Sequence, residues 1–160
     1  MKAFFSTMVL SFWFAVTFAK AANPDDVLGI WYNEEKTAKI EVYKDGDRYY
    51  GKIMWLKEPT YVQKDVDEND HPLVKLGATK VDFKNSDESK QTTPILGLVI
   101  LRGVKYDPDD EEWNDGRIYD PKKGSDYKCF IKMKSADRLD LRGYIGISLL
   151  GRTSYWTRAS

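Results

Sequence analysis

The chain has 160 residues, with 25 basic and 25 acidic side chains, one histidine and one cysteine. Balanced charge offers nucleic acid no attraction, so no nucleic-acid partner is expected. A lone cysteine excludes an internal disulfide, leaving burial and sheet hydrogen bonds to stabilise the fold, and the length suits one domain with a single core.

The elements begin with a leader. Lys2 forms a short basic start, Ala3 to Phe18 is an almost unbroken apolar run, and Ala19-Lys20-Ala21 has the small-x-small form of a signal-peptidase site. Residues 1–21 are expected to be removed and residues 22–160 to form a single β-barrel domain. Losing Lys2 and Lys20 leaves the acids in slight excess, a charge of about minus 2. The apolar run is shorter than the roughly 20 residues of a usual span, and no second such run follows, so no membrane span is expected after cleavage. Secretion or a periplasmic location is the expectation.

Strand signals then follow in order: Leu28 to Asn33, Lys39 to Lys44, Arg48 to Leu56, Leu96 to Tyr106, Glu112 to Tyr119, Asp126 to Lys134, Arg138 to Ile147 and Arg152 to Ala159. Each alternates aromatic or β-branched residues with polar ones between turn residues, the period of a half-buried antiparallel strand. Asp45-Gly46 predicts a hairpin whose two central residues both have positive φ. Cys129, between Tyr127 and Ile131 on one face, reads as a small buried hydrophobe. Short strands joined in succession, with no amphipathic helix, leave a sandwich or an up-and-down barrel, and the hairpin connections favour the barrel.

The interval from Lys57 to Thr93 is too long for an ordinary connection, and such loops are lids, binding loops or disordered segments. Its Asp65-Val66-Asp67-Glu68-Asn69-Asp70 run opens like a calcium loop. Asp70 stands where the turn glycine belongs, however, and Leu76 where the bidentate glutamate belongs, so a solvated acidic loop is the plainer reading. His71 lies in the same loop without a sequence-defined partner. Tyr61, in this interval, and Trp113, just after the acidic turn 107–112, are expected to be exposed. No nucleophile elbow, metal-binding histidine helix or phosphate loop occurs, so no catalytic residue, metal or cofactor is assigned.

Trp113, Gly116, Ile118-Tyr119-Asp120-Pro121, Gly124, Tyr127, Arg142-Gly143-Tyr144-Ile145-Gly146, Gly151-Arg152-Thr153 and Trp156-Thr157-Arg158 together resemble an uncharacterised family of secreted bacterial proteins, domain of unknown function twenty-one forty-seven. Gly29-Ile30-Trp31, Gly51-Lys52-Ile53, Asp82, Asn85, Asp87 and Pro94 to Leu98 match as well. Gln91 and Thr93 depart from the commoner pattern, in which basic residues often precede Pro94. The resemblance implies a lipocalin-like β-barrel and export, and no reaction. Gly29-Ile30-Trp31 is also similar to the first strand of lipocalins, in which a tryptophan closes the base under an arginine of the last strand. Here Arg152 or Arg158 could supply that guanidinium. Gly29, Trp31 and Arg158 are the structural closure this implies.

The expected fold is thus all-β: an eight-stranded antiparallel up-and-down barrel, lipocalin-like, with one long polar loop. The expected role is binding of a small hydrophobic or amphipathic ligand between the open end and that loop. Trp55, Tyr127, Tyr144 and Trp156 are the candidates to contact it, with Arg142 or Arg152 holding an anionic end. A filled barrel that binds an envelope protein or a glycan is the alternative. A hydrolase using paired carboxylates comes third.

Overall fold

The computed structural model describes residues 23–159, so the expected leader and its cleavage point lie outside the described residues. Strands β1 Gly29–Tyr32, β2 Ala38–Asp45, β3 Arg48–Leu56, β4 Val99–Asp107, β5 Glu112–Asp120, β6 Ser125–Ser135, β7 Arg138–Tyr144 and β8 Gly151–Arg158 pair in chain order into a closed antiparallel barrel. The barrel closes because β8 pairs with β1 through Trp31 opposite Arg158 and Tyr32 opposite Thr157. The expected eight-stranded up-and-down barrel is therefore the observed one.

Alternation sets the inner face. Ala38, Ile40 and Val42 of β2 and Tyr49, Gly51 and Ile53 of β3 are buried, while the residues between them face outward. Two details depart from simple alternation. Asp45 pairs with Arg48, so the two turn residues are Gly46 and Asp47, and only Gly46 has positive φ, at 62°. That corrects the expected hairpin: glycine at the first central position gives the type II′ pattern. The register also slips between Lys39 and Ile40, which pair with Trp55 and Ile53. This bulge makes Met54 and Trp55 both point outward, whereas strict alternation from Ile53 would turn Trp55 inward.

One end of the barrel is solid. Trp31, Tyr49, Leu101, Val104, Trp113, Ile131 and Leu139 are fully buried there. The 3-10 turn Pro24–Val27 seals it from below: Trp31 Nε1 donates to Val27 O at 2.9 Å, and Trp113 Nε1 donates to Pro24 O at 3.0 Å. Lys44 Nζ and then Tyr49 Oη donate to Asp25 Oδ1, at 2.8 and 2.7 Å, and hold its carboxyl below the usual carboxylate range. Trp113 is thus a core residue, which overturns the expectation that it is exposed. Cys129 is buried beside this core, and desolvation pushes its thiol up to about 12.

Arg158 holds the closure. Its guanidinium lies 4.1 Å from the Trp31 ring centroid and donates to the Ala136, Leu28 and Asp26 carbonyls at 2.7 to 2.8 Å. Gly29 leaves room for it, since a Cβ there would come within 2.6 Å of Arg158 Nη1. Arg158 is half-buried, so its guanidinium over the indole contributes about 1 kcal/mol, and the three carbonyls fix its position.

The interval between β3 and β4 is ordered. Segment 78–82 runs between 59–61 and 93–95, with Thr60 bridged to Thr79 and Val81 to Pro94. It also contains the short helix α1 Gln63–Glu68, an element absent from the sequence reading. Tyr61 is buried against Phe83, with Tyr61 Oη donating to Val81 O and accepting from Val81 N, so its expected exposure is likewise overturned.

Candidate functional site

The end opposite the base is hollow. A cavity of about 980 Å³ opens between the barrel mouth and the β3–β4 loop. Its inner wall comes from strands: Ile40, Ile53, Ile100, Ile118 and Leu141, with Trp156 buried below Ser154 on β8. Tyr61, Val81, Phe83 and Ile95 of the loop close the other side. The apolar wall follows from the inward positions of the strands, and the vacant space from the small residues Ala38, Gly143 and Ser154 at that end of β2, β7 and β8.

Charge is confined to the rim. Lys80 lies 3.0 Å from Asp65 and 3.6 Å from Glu58, Arg152 is 3.5 Å from Glu34, and Lys122 is 2.8 Å from Glu35. The last pair crosses the mouth, because the β1–β2 and β5–β6 connections stand on opposite sides of the closed barrel. The Arg152–Glu34 and Lys122–Glu35 partners are exposed, so each of these pairs contributes little to stability, whereas Lys80 and Asp65 are half-buried.

The loop is latched by one buried acid. Asp82, 1% exposed, accepts from Tyr119 Oη at 2.8 Å and from Asn85 Nδ2 at 2.7 Å, while its backbone N–H donates to Thr93 O. Burial, and then the hydrogen bond to Asp82, push the Tyr119 phenol far above its usual range. Asp87 N donates to Asn85 Oδ1, and Gln91 Nε2 donates to Asn85 O, so the Asp82, Asn85, Asp87 pattern is a knot of loop hydrogen bonds. The β5–β6 turn rests directly on this knot: a Cβ at Gly124 would lie 1.8 Å from Lys84 O.

Of the residues singled out in the sequence, Tyr127, Tyr144, Arg152 and Trp156 lie on the cavity boundary. Tyr144 sits at its rim, with its ring 6.3 Å from Phe130 on the outer face. Trp55 and Arg142 are not on the wall. Trp55 packs edge-on against Tyr32 outside the barrel, and Arg142 donates to Ser148 O, Leu149 O and Thr153 Oγ1. The acidic run 65–70 begins in helix α1, where Asp65 accepts from Val62 N and pairs with Lys80 and Asp67 accepts from Gln63. Among the described residues no group of three or more histidine, cysteine or acidic side chains gathers as a metal site would require. His71 stacks near Phe83, and its Nδ1 accepts from Leu73 N.

The family model described as "Uncharacterized protein conserved in bacteria (DUF2147)" matches residues 29–158, which span every strand of the barrel. The chain belongs to this family. Among solved structures, this DUF2147 member is similar to HP1028 from the human pathogen Helicobacter pylori, described as belonging to the lipocalin family. The TM-score is 0.63 at 17% identity, over 84% of this chain and 83% of that one, a likeness of fold. No curated protein matches the sequence. A lipocalin-like barrel is therefore the architecture in which this DUF2147 member carries its cavity.

Proposed function

We propose that this protein binds a small, partly apolar molecule in the barrel mouth. The observation that carries the reading is the cavity of about 980 Å³, apolar inside and charged only at its rim, above a base that is packed solid. Ligand sites span roughly 300 to 1,000 Å³ and combine apolar walls with a few polar groups, which is this arrangement. Trp156, Leu141 and Ile118 would meet the apolar part, Tyr127 would offer a hydroxyl, and Arg152 at the rim would face a polar or anionic end.

The test uses protein purified from its producing cells. Native mass spectrometry should reveal a retained small molecule. After removal of that molecule, an apolar fluorescent probe should bind and raise the unfolding free energy by about 2.7 kcal/mol at a hundredfold excess over Kd. Ser154→Phe places a ring in mid-cavity and should weaken the probe about tenfold or more by filling its space. Tyr155→Ala, on the outer face, should leave binding intact. Equal affinity in both variants would remove the reading.

We also propose that the protein acts outside the cytoplasm, an inference that rests on the leader pattern of residues 1–21. Intact-mass measurement of exported material should give a chain beginning at Ala22. A membrane-bound species retaining Met1 to Ala21 would overturn it.

A further inference from the structure

The connection between β7 and β8 is apolar and bare: Ile145 is 68% exposed, Ile147 59%, Leu149 82% and Leu150 71%. Monomeric proteins seldom leave such a run in water without a use for it. The sequence pattern predicts strand as far as Ile147, but β7 ends at Tyr144; Ile145 and Leu150 border the cavity mouth, and Ile147 and Leu149 lie beyond it. The loop is shaped by its own hairpin. Ile145 N donates to Leu150 O, Leu150 N donates to Ile147 O, and Arg142 donates to the Ser148 and Leu149 carbonyls. The other mouth connections are tied to one another through Lys122 with Glu35 and Tyr119 with Asp82, and the base of this loop is held by Arg152, 3.5 Å from Glu34, which leaves the aliphatic tip clear.

What surrounds the loop indicates its partner. Segment 141–154 contains no acidic residue; of its two arginines Arg142 holds the loop carbonyls, and Arg152 stays three-quarters exposed although Glu34 lies 3.5 Å away. Behind the aliphatic tip, on the outer face, lie the rings of Tyr144 and Phe130, with the exposed Lys128 paired across from Tyr144. An aliphatic tip backed by aromatic and basic side chains is the order in which side chains distribute through a lipid interface, from acyl chain to headgroup. A protein partner would need about 800 Å² of complementary surface on this side, more than one projecting loop supplies.

We infer that the β7–β8 loop is a membrane-docking element: Ile147, Leu149 and Leu150 enter the headgroup boundary of an anionic bilayer, with Lys128 and Arg152 facing its phosphates. This sets the cavity mouth against the lipid surface. The inference does not need the cavity to hold a ligand, and its test reads membrane binding alone.

Protein isolated from its producing cells is mixed with vesicles of phosphatidylcholine containing phosphatidylglycerol, or of phosphatidylcholine alone, and separated by flotation. The wild type should float with the anionic vesicles. Combined Ile147→Ser, Leu149→Ser and Leu150→Ser changes, all at exposed positions, should reduce binding about tenfold or more with an unchanged unfolding midpoint. Lys128→Gln with Arg152→Gln should weaken binding to anionic vesicles by about fivefold per charge and leave binding to neutral vesicles unaltered. Absence of vesicle binding, or equal binding by the triple variant, would overturn the inference. So would concentration-dependent self-association that the triple variant abolishes, which would assign the loop to a second copy of the chain.

Discussion

Trp113→Ala should destabilise the protein by about 3 to 5 kcal/mol, as much as Trp31→Ala, because each removes a fully buried indole that cannot be replaced by collapse of its neighbours. Trp113 packs on Tyr49 and Tyr106, at ring separations of 6.4 and 5.0 Å, and its N–H satisfies the Pro24 carbonyl. Its loss therefore opens a void in the base and frees the Pro24–Val27 turn together. Urea unfolding of both variants should show a lower midpoint at unchanged slope, with Tyr155→Ala on the outer face close to wild type. A small loss in Trp113→Ala with a large one in Trp31→Ala would mean that the base is held by the arginine–tryptophan closure alone.

The second large effect is at the latch. Asp82→Ala strands the buried Tyr119 hydroxyl and the Asn85 amide, at a cost of about 2 to 3 kcal/mol. Because those partners join the long loop to β5, the loss should fall on the loop. Amide exchange within 57–98 should accelerate by roughly 30- to 150-fold while β5 to β8 keep their protection. Asp82→Asn keeps an acceptor for Tyr119 and should lose less. Gly124→Ala reaches the same end from outside, since its methyl group would collide with the Lys84 carbonyl. Uniform acceleration across all strands would show that Asp82 supports the whole barrel rather than the loop.

The strands were legible because inward and outward positions alternate with a period of two, and because chain-order pairing is what short turns permit. What was not legible depended on departures from that period or on contacts distant in sequence. Trp55 faces outward because one extra residue in β3 flips the face, and no local signal marks a bulge. Trp113 follows Asp109, Asp110, Glu111 and Glu112, a run that reads as solvated, and its burial is created by Pro24, far away in sequence. Tyr61 and Asp82 sit in a polar interval whose order comes from Tyr119 and from bridges within the loop. The run from Ile145 to Leu150 carries the residue types of a buried strand end, yet it projects past the barrel. For the cavity itself, inward residue types on β2, β7 and β8 could suggest a thin wall, but only the closed geometry shows that the space between them is left open.

The β1–β8 ladder has two residue pairs, Trp31 with Arg158 and Tyr32 with Thr157, and it joins the two ends of the barrel sequence. Every other strand pairing forms between chain neighbours, so this seam closes the longest loop and carries the largest entropic penalty of assembly. It should therefore form last on folding and part first under stress. Once parted, β1 and β8 each present a row of unpaired backbone groups, and two open barrels could exchange edges. The Arg158 side chain, which grips the Leu28 and Asp26 carbonyls and an indole across the seam, then acts as a brake on that opening, its contribution to stability falling on the unfolding rate. Its removal would appear first in the rate of unfolding and in the tendency of concentrated protein to associate through its edges.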